Sequence, residues 1–367
     1  MEAFETSMLS AAIGFGGGAV LGLAARLGRF CTLSAIEDAV FTASYHRLRM
    51  WGLAIAVAII GVGGLIALGL FNPAGSAYLA APPTLMATAV GGLIFGFGMA
   101  LVGTCAFGAL ARMGGGDIRG FMIVIVLAIS AAMAMHGATG LARSVLFAGP
   151  EAAPPIEQSS IAFSLSALTG LPASVVYIAV GLGLAVAMLS NKAFRTTPRY
   201  WFWGAACGVA VTFAWGATQW LSHETLEATV VESYTFVGPV ADSLLYVMTA
   251  SVAEIDFGVG AVLGVLAGAA IGAKRRGEFR WEACDDPREL RRQMLGAFLM
   301  GTGGVLSMGC TIGQGLSAAS LLATTAPIAL MSIFAGAWIG LHYLVQGSFI
   351  EPLRAVLRDL FSQRENQ

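Results

Sequence analysis

The chain has 367 residues, 57% of them hydrophobic and only 11% charged, where a soluble domain carries about 25% charged residues. This balance excludes a soluble globular fold and describes a polytopic membrane protein. The net charge of −1 hides an uneven distribution that bears on topology, and no nucleic-acid partner is expected. The five cysteines include no CxxC pair and no zinc-finger spacing, so no metal, cofactor or disulfide framework is expected.

Apolar runs recur along the whole length, each close to the roughly 20 residues that cross a hydrocarbon core as a helix. Because lipid satisfies no backbone group, the expected architecture is all-α. Runs such as Gly52–Leu70 and Ile118–Met135 are apolar on every face, which excludes a barrel of short alternating strands. The first segment opens on Glu2 and Glu5 without a basic n-region, so it is expected to stay as a membrane element and not to be cleaved.

Taken in order, Ser7–Tyr45 is interrupted at Gly28–Cys31 and ends at the basic loop His46, Arg47, Arg49, which the positive-inside rule places in the cytoplasm. Trp51–Phe71 leads out to the loop Asn72–Pro83. Thr84–Arg112 returns inward through a second interruption, the turn Gly114–Arg119 is cytoplasmic, and Ile118–Gly140 goes out. The proline-rich stretch Ala148–Ser160 reads as an outer loop joining two halves. Pro172–Ser190 comes in to Lys192, Arg195 and Arg199, and Tyr200–Leu221 goes out to the acidic loop Ser222–Asp242. A short apolar piece, Ser243–Ala253, precedes Phe257–Ala273, which returns to Lys274–Arg292 with its seven Lys and Arg residues. Met294–Thr325 then goes out through a third interruption and Ala326–Gln346 comes back. The tail carries Arg354, Leu357, Arg358 and Leu360 at helical spacing, as a segment lying on the cytoplasmic interface does.

The expected topology is therefore about nine crossings, with an outer N-terminus and an inner C-terminus. Residues 1–147 form a first repeat half. Residues 148–199 supply an outer loop, a linker span and a cytoplasmic turn, residues 200–347 form a second, inverted half, and 348–367 are the interfacial tail of a single integral membrane domain. The inversion follows from charge: the Cys105 segment runs inward and the Cys310 segment outward. Interrupted helices in inverted repeats are a transporter design, with each half supplying a break near the midplane.

The breaks share a pattern. Aligning Cys105 in Gly96–Gly108, GFGMALVGTCAFG, with Cys310 in Met300–Ser320, MGTGGVLSMGCTIGQGLSAAS, superimposes glycines nine and seven residues before the cysteine and three after it. A looser copy, Gly22–Ser34, centres on Cys31. Its counterpart in the second half aligns weakly with Gly204–Thr218, where Ala217 takes the cysteine's place. Breaks inside a bilayer free polar backbone groups and are tolerated where they line a path. Short helices starting at Phe107 and Gln314 would aim their N-terminal amides at the breaks, which favours an anion. A neutral thiol is a weak donor with little hydration to lose, suited to passing a soft anion on and not to storing it.

The motifs RFC, GTCAFG and GCTIGQG, in this order, resemble the YeeE/YedE family of bacterial inner-membrane proteins. The resemblance covers essentially the whole chain. It implies a transporter, not an enzyme, that takes up thiosulfate or a related sulfur-containing ion by relay between thiols. By position Cys31, Cys105 and Cys310 are the relay residues. Gly103, Thr104, Gly108, Gly309, Thr311, Gly313, Gln314 and Thr32 support the path. The resemblance also implies a small TusA-like sulfur-carrier protein as a cytoplasmic partner. A soft-metal transporter of the Cu(I) kind, or a membrane thiol-redox protein or sulfur sensor, are the alternatives.

Other features have plainer readings. Gly14–Gly18 and Gly61–Gly64 are expected to be helix contacts, and Cys207 and Cys284 to be inert. His136 and His342 are each expected to make one structural hydrogen bond. Glu37 and Asp38, just after the Cys31 break, would repel anions unless Arg26 or Arg29 pairs with them.

Overall fold

The computed structural model describes residues 2–80, 84–147, 159–224, 230–251, 254–282 and 286–347. Cys284, the tail and most of the proline-rich join lie outside these. Among the described residues the chain is helical and forms no strand, only isolated bridges such as Ser76 with Val231. The protein is an all-α polytopic membrane protein.

The principal helices are α1 (Glu2–Leu23), α2 (Thr32–Phe41), α3 (His46–Ala67), α4 (Leu85–Val102), α5 (Ala106–Gly114), α6 (Ile118–His136), α7 (Ala173–Leu189), α8 (Pro198–Glu224), α9 (Val237–Thr249), α10 (Phe257–Arg275), α11 (Pro287–Leu306) and α12 (Thr325–Gln346). Each expected crossing contains one of the longer helices. Six helical segments are long and apolar enough to cross a membrane, and Ile161–Thr169 with α7, bent by 117°, would make a seventh. The count of nine exceeds this because α8 and α11 are long but less apolar. The first two turns of α11, for example, carry Arg288, Glu289, Arg291 and Arg292. Large apolar side chains such as Ile129, Val186, Phe213, Leu263 and Met331 are exposed along the helices, as lipid-facing positions are.

The packing is reciprocal. α1 lies against α10 while α8 lies against α3, and α4 lies against α12 while α11 lies against α6. The short helices follow the same exchange, α2 meeting α12 and α9 meeting α6. Two further pairs, α4 with α11 and α1 with α8, join helices at corresponding positions of the two halves. The α1–α10 contact is backbone on backbone. A Cβ at Gly18 would stand 2.4 Å from the Ala261 carbonyl, and one at Gly264 would stand 2.2 Å from that of Phe15. Small residues on both helices allow this approach. Gly14 does the same against Phe257, and Gly61 sits against Thr212, whereas Gly64 has open space beside it. We expect Gly264→Val to cost about 1–3 kcal/mol of overpacking, seen as a lower thermal midpoint in detergent; an unchanged midpoint would show that the interface yields.

The basic segments meet at one end of the bundle. Arg26 donates through Nε to the Ala111 carbonyl (3.1 Å) and through Nη2 to that of Arg112 (3.2 Å). Arg276 Nη1 reaches Arg26 O at 2.8 Å and Arg199 Nε reaches Leu27 O at 2.6 Å. Arg119 pairs with Glu282 and Glu289 at 3.7 and 3.8 Å. The partner of Asp38 is Arg47, at 3.3 Å, and not Arg26 or Arg29. Arg26 is occupied with carbonyls left over at the C-terminus of α5, where a cation is favoured.

Two expectations change at the second-half counterpart of the Cys31 break. α8 runs unbroken through Ala217 to Glu224, because nothing in GAACGVAVTFAWGAT forces a left-handed residue. The position that answers to Cys31 in packing is the extended stretch 231–236 before α9. That helix starts at Val237 and not near Ser243.

Candidate functional site

The three breaks are built alike. In each, the residue two before the cysteine adopts a left-handed backbone: Arg29 (φ 57°), Gly103 (φ 79°) and Met308 (φ 56°). This conformation ends the preceding helix and turns the chain. Only glycine adopts it without strain, so Arg29 and Met308 are held there by their surroundings. Cys31 and Cys105 then take extended backbone as the N-caps of α2 and α5.

The sulfur atoms of Cys105 and Cys310 act as caps, whereas Cys31 makes no side-chain cap bond. The Gly108 amide donates to Cys105 Sγ at 3.3 Å and the Gly313 amide to Cys310 Sγ at 3.5 Å. A helix does begin at each of these breaks, α5 after Cys105 and a π-helical turn, Gly313–Ala318, after Cys310. With a sulfur lone pair engaged by the backbone, the S–H proton is left to point elsewhere.

Cys105 and Cys310 are fully buried, and Cys31 is half-buried. Cys105 interacts electrostatically with both Cys31 and Cys310, and the Thr311 side chain reaches it too. The three cysteines of the motifs therefore share one neighbourhood. Cys207, buried in α8, is not among the thiols that face Cys105.

The freed backbone groups have specific partners. Arg112 Nη2 donates to the Gly103 carbonyl at 2.9 Å. At the third break no arginine is used. Gln314 Nε2 donates to Ser307 O (2.8 Å), Gln314 Oε1 accepts from Thr325 (3.4 Å), and Ser307 Oγ donates to Gly309 O (2.8 Å). Gln314 thus ties the break to α11 and α12. Thr104 sits over the bare face of Gly108, where a Cβ would stand 2.0 Å from its hydroxyl. The Thr32 hydroxyl is buried without a partner, while the Thr311 side chain faces Cys105.

Residues the motifs did not reveal surround Cys310. Thr235 and the Phe236 backbone reach its thiol from the stretch 231–236. A Cβ on Gly313 would stand 2.5 Å from Thr235 Oγ1 and 2.8 Å from the Tyr78 hydroxyl. Cys31, just before α2, neighbours Cys105, and Thr235 stands beside Cys310. Its signal in the sequence is faint, a threonine just before α9, because the stretch carrying it has neither the glycines nor the cysteine of the other breaks.

The comparisons with known proteins decide the family. The model of the family described as sulphur transport matches residues 27–339, from just before the first break to α12. The chain belongs to this sulphur transport family. A thiosulfate transporter, TsuA, of Escherichia coli (strain K12) is 28% identical over 339 residues, covering 88% of this chain and 91% of that protein. A thiosulfate transporter TsuA of Spirochaeta thermophila is 25% identical over 332 residues, covering 88% and 95% respectively. As a member of the sulphur transport family the protein is a transporter and not an enzyme, and all three motif cysteines fall inside the matched span.

The stretch that carries Thr235 also carries Glu232, which borders a cavity of about 260 Å³ together with Thr218, Glu254 and Asp256. Burial, with the charges of Asp256 and Asp242 adding to it, lifts the Glu232 carboxyl to about 8. Below its unfolded value both states hold the proton. Between that value and about 8 only the folded chain holds it, so the associated stability is lost as pH rises through about 8. We expect Glu232→Gln to match the parent's thermal midpoint at pH 5 and to exceed it at pH 9; equal midpoints at pH 9 would contradict the shift. Of the two intramembrane histidines, His342 makes the expected structural bond, Nδ1 lying 2.9 Å from the Trp338 carbonyl, while His136 interacts with Asp242.

Proposed function

We propose that the protein takes thiosulfate, or a closely related sulfur-containing ion, across the bacterial inner membrane into the cytoplasm by handing it between Cys31, Cys105 and Cys310. The observation that carries this reading is the placement of Cys105, a buried thiol facing both other cysteines, with its sulfur engaged by the Gly108 amide. The S–H proton is then free to meet the terminal sulfur of the anion, a soft acceptor. Thr32, Thr104 and Thr311 offer hydroxyls to its oxygens. Each contact is weak, which lets the ion leave as readily as it enters. The names of the relatives in Escherichia coli and Spirochaeta thermophila support thiosulfate as the substrate.

The direction follows from charge. The Arg-rich end is cytoplasmic by the positive-inside rule, which puts the N-terminus in the periplasm, the C-terminus inside, and the Glu232 cavity on the outer face. The reciprocal packing of α1–α6 with α8–α12 supports two inverted halves, residues 1–147 and 200–347. Gly103, Gly108, Gly309, Gly313 and Gln314 shape the path, and a TusA-like carrier at the basic end is the partner this reading assigns.

The test is growth of bacteria that lack other routes for sulfate and thiosulfate entry, given thiosulfate as sole sulfur source. Cells producing the protein should grow, and cells with an empty vector should not. Equal growth of the two would refute uptake.

A further inference from the structure

A cavity of about 420 Å³ extends from Thr32, the neighbour of Cys31, to Arg49 in the first turn of α3. Its walls are apolar, with Ile36, Ile55 and Ile333 among them, and Trp51 of α3 borders it. Trp51 is only 5% exposed. Its ring stacks on Phe30, with centroids 4.4 Å apart and planes 23° from parallel. The ring also lies over the bare face of Gly315, where a Cβ would stand 3.4 Å from Cζ3. The indole is thus clamped between the break that bears Cys31 and the one that bears Cys310.

Trp51 Nε1 has no acceptor, and the hydroxyl of Thr32, on the same cavity, has no partner, although both atoms are buried. A buried donor left unmade costs about 1–3 kcal/mol. Phenylalanine and valine would fill the same space without that cost. Two such donors on one cavity, one of them next to the Cys31 thiol, are a binding arrangement.

We propose that Trp51 Nε1 and Thr32 Oγ1 form a binding subsite for a sulfur oxyanion, occupied between its release from Cys31 and its entry into the cavity leading to Arg49. This rests on the transport reading given above. The chemistry matches the class of ion: two neutral donors bind oxygens, while the rings of Phe30 and Trp51 and the apolar wall accept a weakly hydrated sulfur. In the bound state a small tilt of the indole brings its N–H to the cavity surface. Arg49, anchored through Nη1 on the carbonyls of Ala187 and Met188 at 3.2 and 3.1 Å, supplies a fixed positive charge at the far rim.

The test uses the full-length protein in cells, with radiolabelled thiosulfate uptake and the thermal midpoint of the purified chain measured together. Thr32→Val and Trp51→Phe should each lower uptake about 10-fold, the loss of one charge-assisted hydrogen bond. Thr32→Val should also keep or raise the thermal midpoint, because it removes no native hydrogen bond; a structural role would lower the midpoint and uptake together, and that result would overturn the subsite. Parent-like uptake in both variants, beside a Cys105→Ser variant that fails, would overturn the subsite and leave the relay standing. Absence of uptake in the parent would overturn both.

Discussion

Replacing Cys105 by serine is expected to lower thiosulfate uptake by about 100-fold, some 2.7 kcal/mol of lost stabilisation along the path. The substitution preserves shape and a hydroxyl donor, so it isolates the sulfur. A serine hydroxyl at an N-cap is a strong acceptor for the N3 amide and a strong donor to nearby carbonyls. At Cys105 it would turn inward on the Gly108 amide and the backbone, where the thiol holds the amide only weakly at 3.3 Å. It would also put a hard oxygen where the terminal sulfur of the ion must pass. Cys310→Ser should behave the same way, since the Gly313 amide caps its sulfur in the same manner. The measurement is initial uptake of radiolabelled thiosulfate normalised to membrane-inserted protein. Uptake within twofold of the parent in both variants would remove the thiols from the mechanism.

Gly313→Val should reduce uptake to the vector background while the protein remains in the membrane. A side chain at this position would collide with Thr235 Oγ1 and the Tyr78 hydroxyl, at 2.5 and 2.8 Å from its Cβ. Contacts this short force one backbone or the other to move. The groups that must yield belong to buried segments: Thr235 is flanked by Tyr234 and Phe236, both fully buried, and Tyr234 O accepts from Ser317 at 2.6 Å. The displacement would separate the Gly313 amide from Cys310 and close the space beside the thiol. Gly313→Ala should retain partial uptake, and Thr235→Ala in the same chain should restore it toward the parent value. Failure of Thr235→Ala to rescue Gly313→Ala would show that the obstruction lies elsewhere.

Much of this arrangement is legible in the sequence for a physical reason. A break in a membrane helix needs glycine where the backbone turns or packs closely, and the shared spacing around Cys105 and Cys310 records that need directly. The positive-inside rule likewise places Arg47, Arg119, Arg199 and Arg276 at one end, where the structure brings them together. What stays hidden depends on contacts between distant segments. Arg29 and Met308 take the left-handed turn that Gly103 takes, but neither residue type announces it. The alignment offered one clue, since all three stand two residues before a cysteine. Trp51 reads as the start of a span, and only the approach of Phe30 and Gly315 gives it another meaning. The glycines of α8 suggest a break there that answers Cys31, but the helix is continuous. The counterpart of the Cys31 break lies after that helix, in the non-helical stretch 231–236 that carries Thr235.

The reciprocal packing also explains why the two ends differ in charge. At the basic end the carbonyls freed at the first two breaks are held by Arg112, Arg199 and Arg276. At the other end the third break closes on Ser307 and Gln314 instead, with Glu232, Asp242 and Asp256 nearby. An anion attracted by this gradient would move from the carboxylate end to the guanidinium end, the direction proposed above.

Transfer of intact thiosulfate by the thiols is tested most directly in liposomes containing only the purified protein, loaded with unlabelled thiosulfate and given thiosulfate labelled at the terminal sulfur. The account predicts that label accumulates inside as unbroken thiosulfate, that sulfate does not compete, and that Cys105→Ser liposomes stay at the level of protein-free ones. Label entering as sulfite or bound to protein as a persulfide, or equal accumulation with Cys105→Ser, would contradict it.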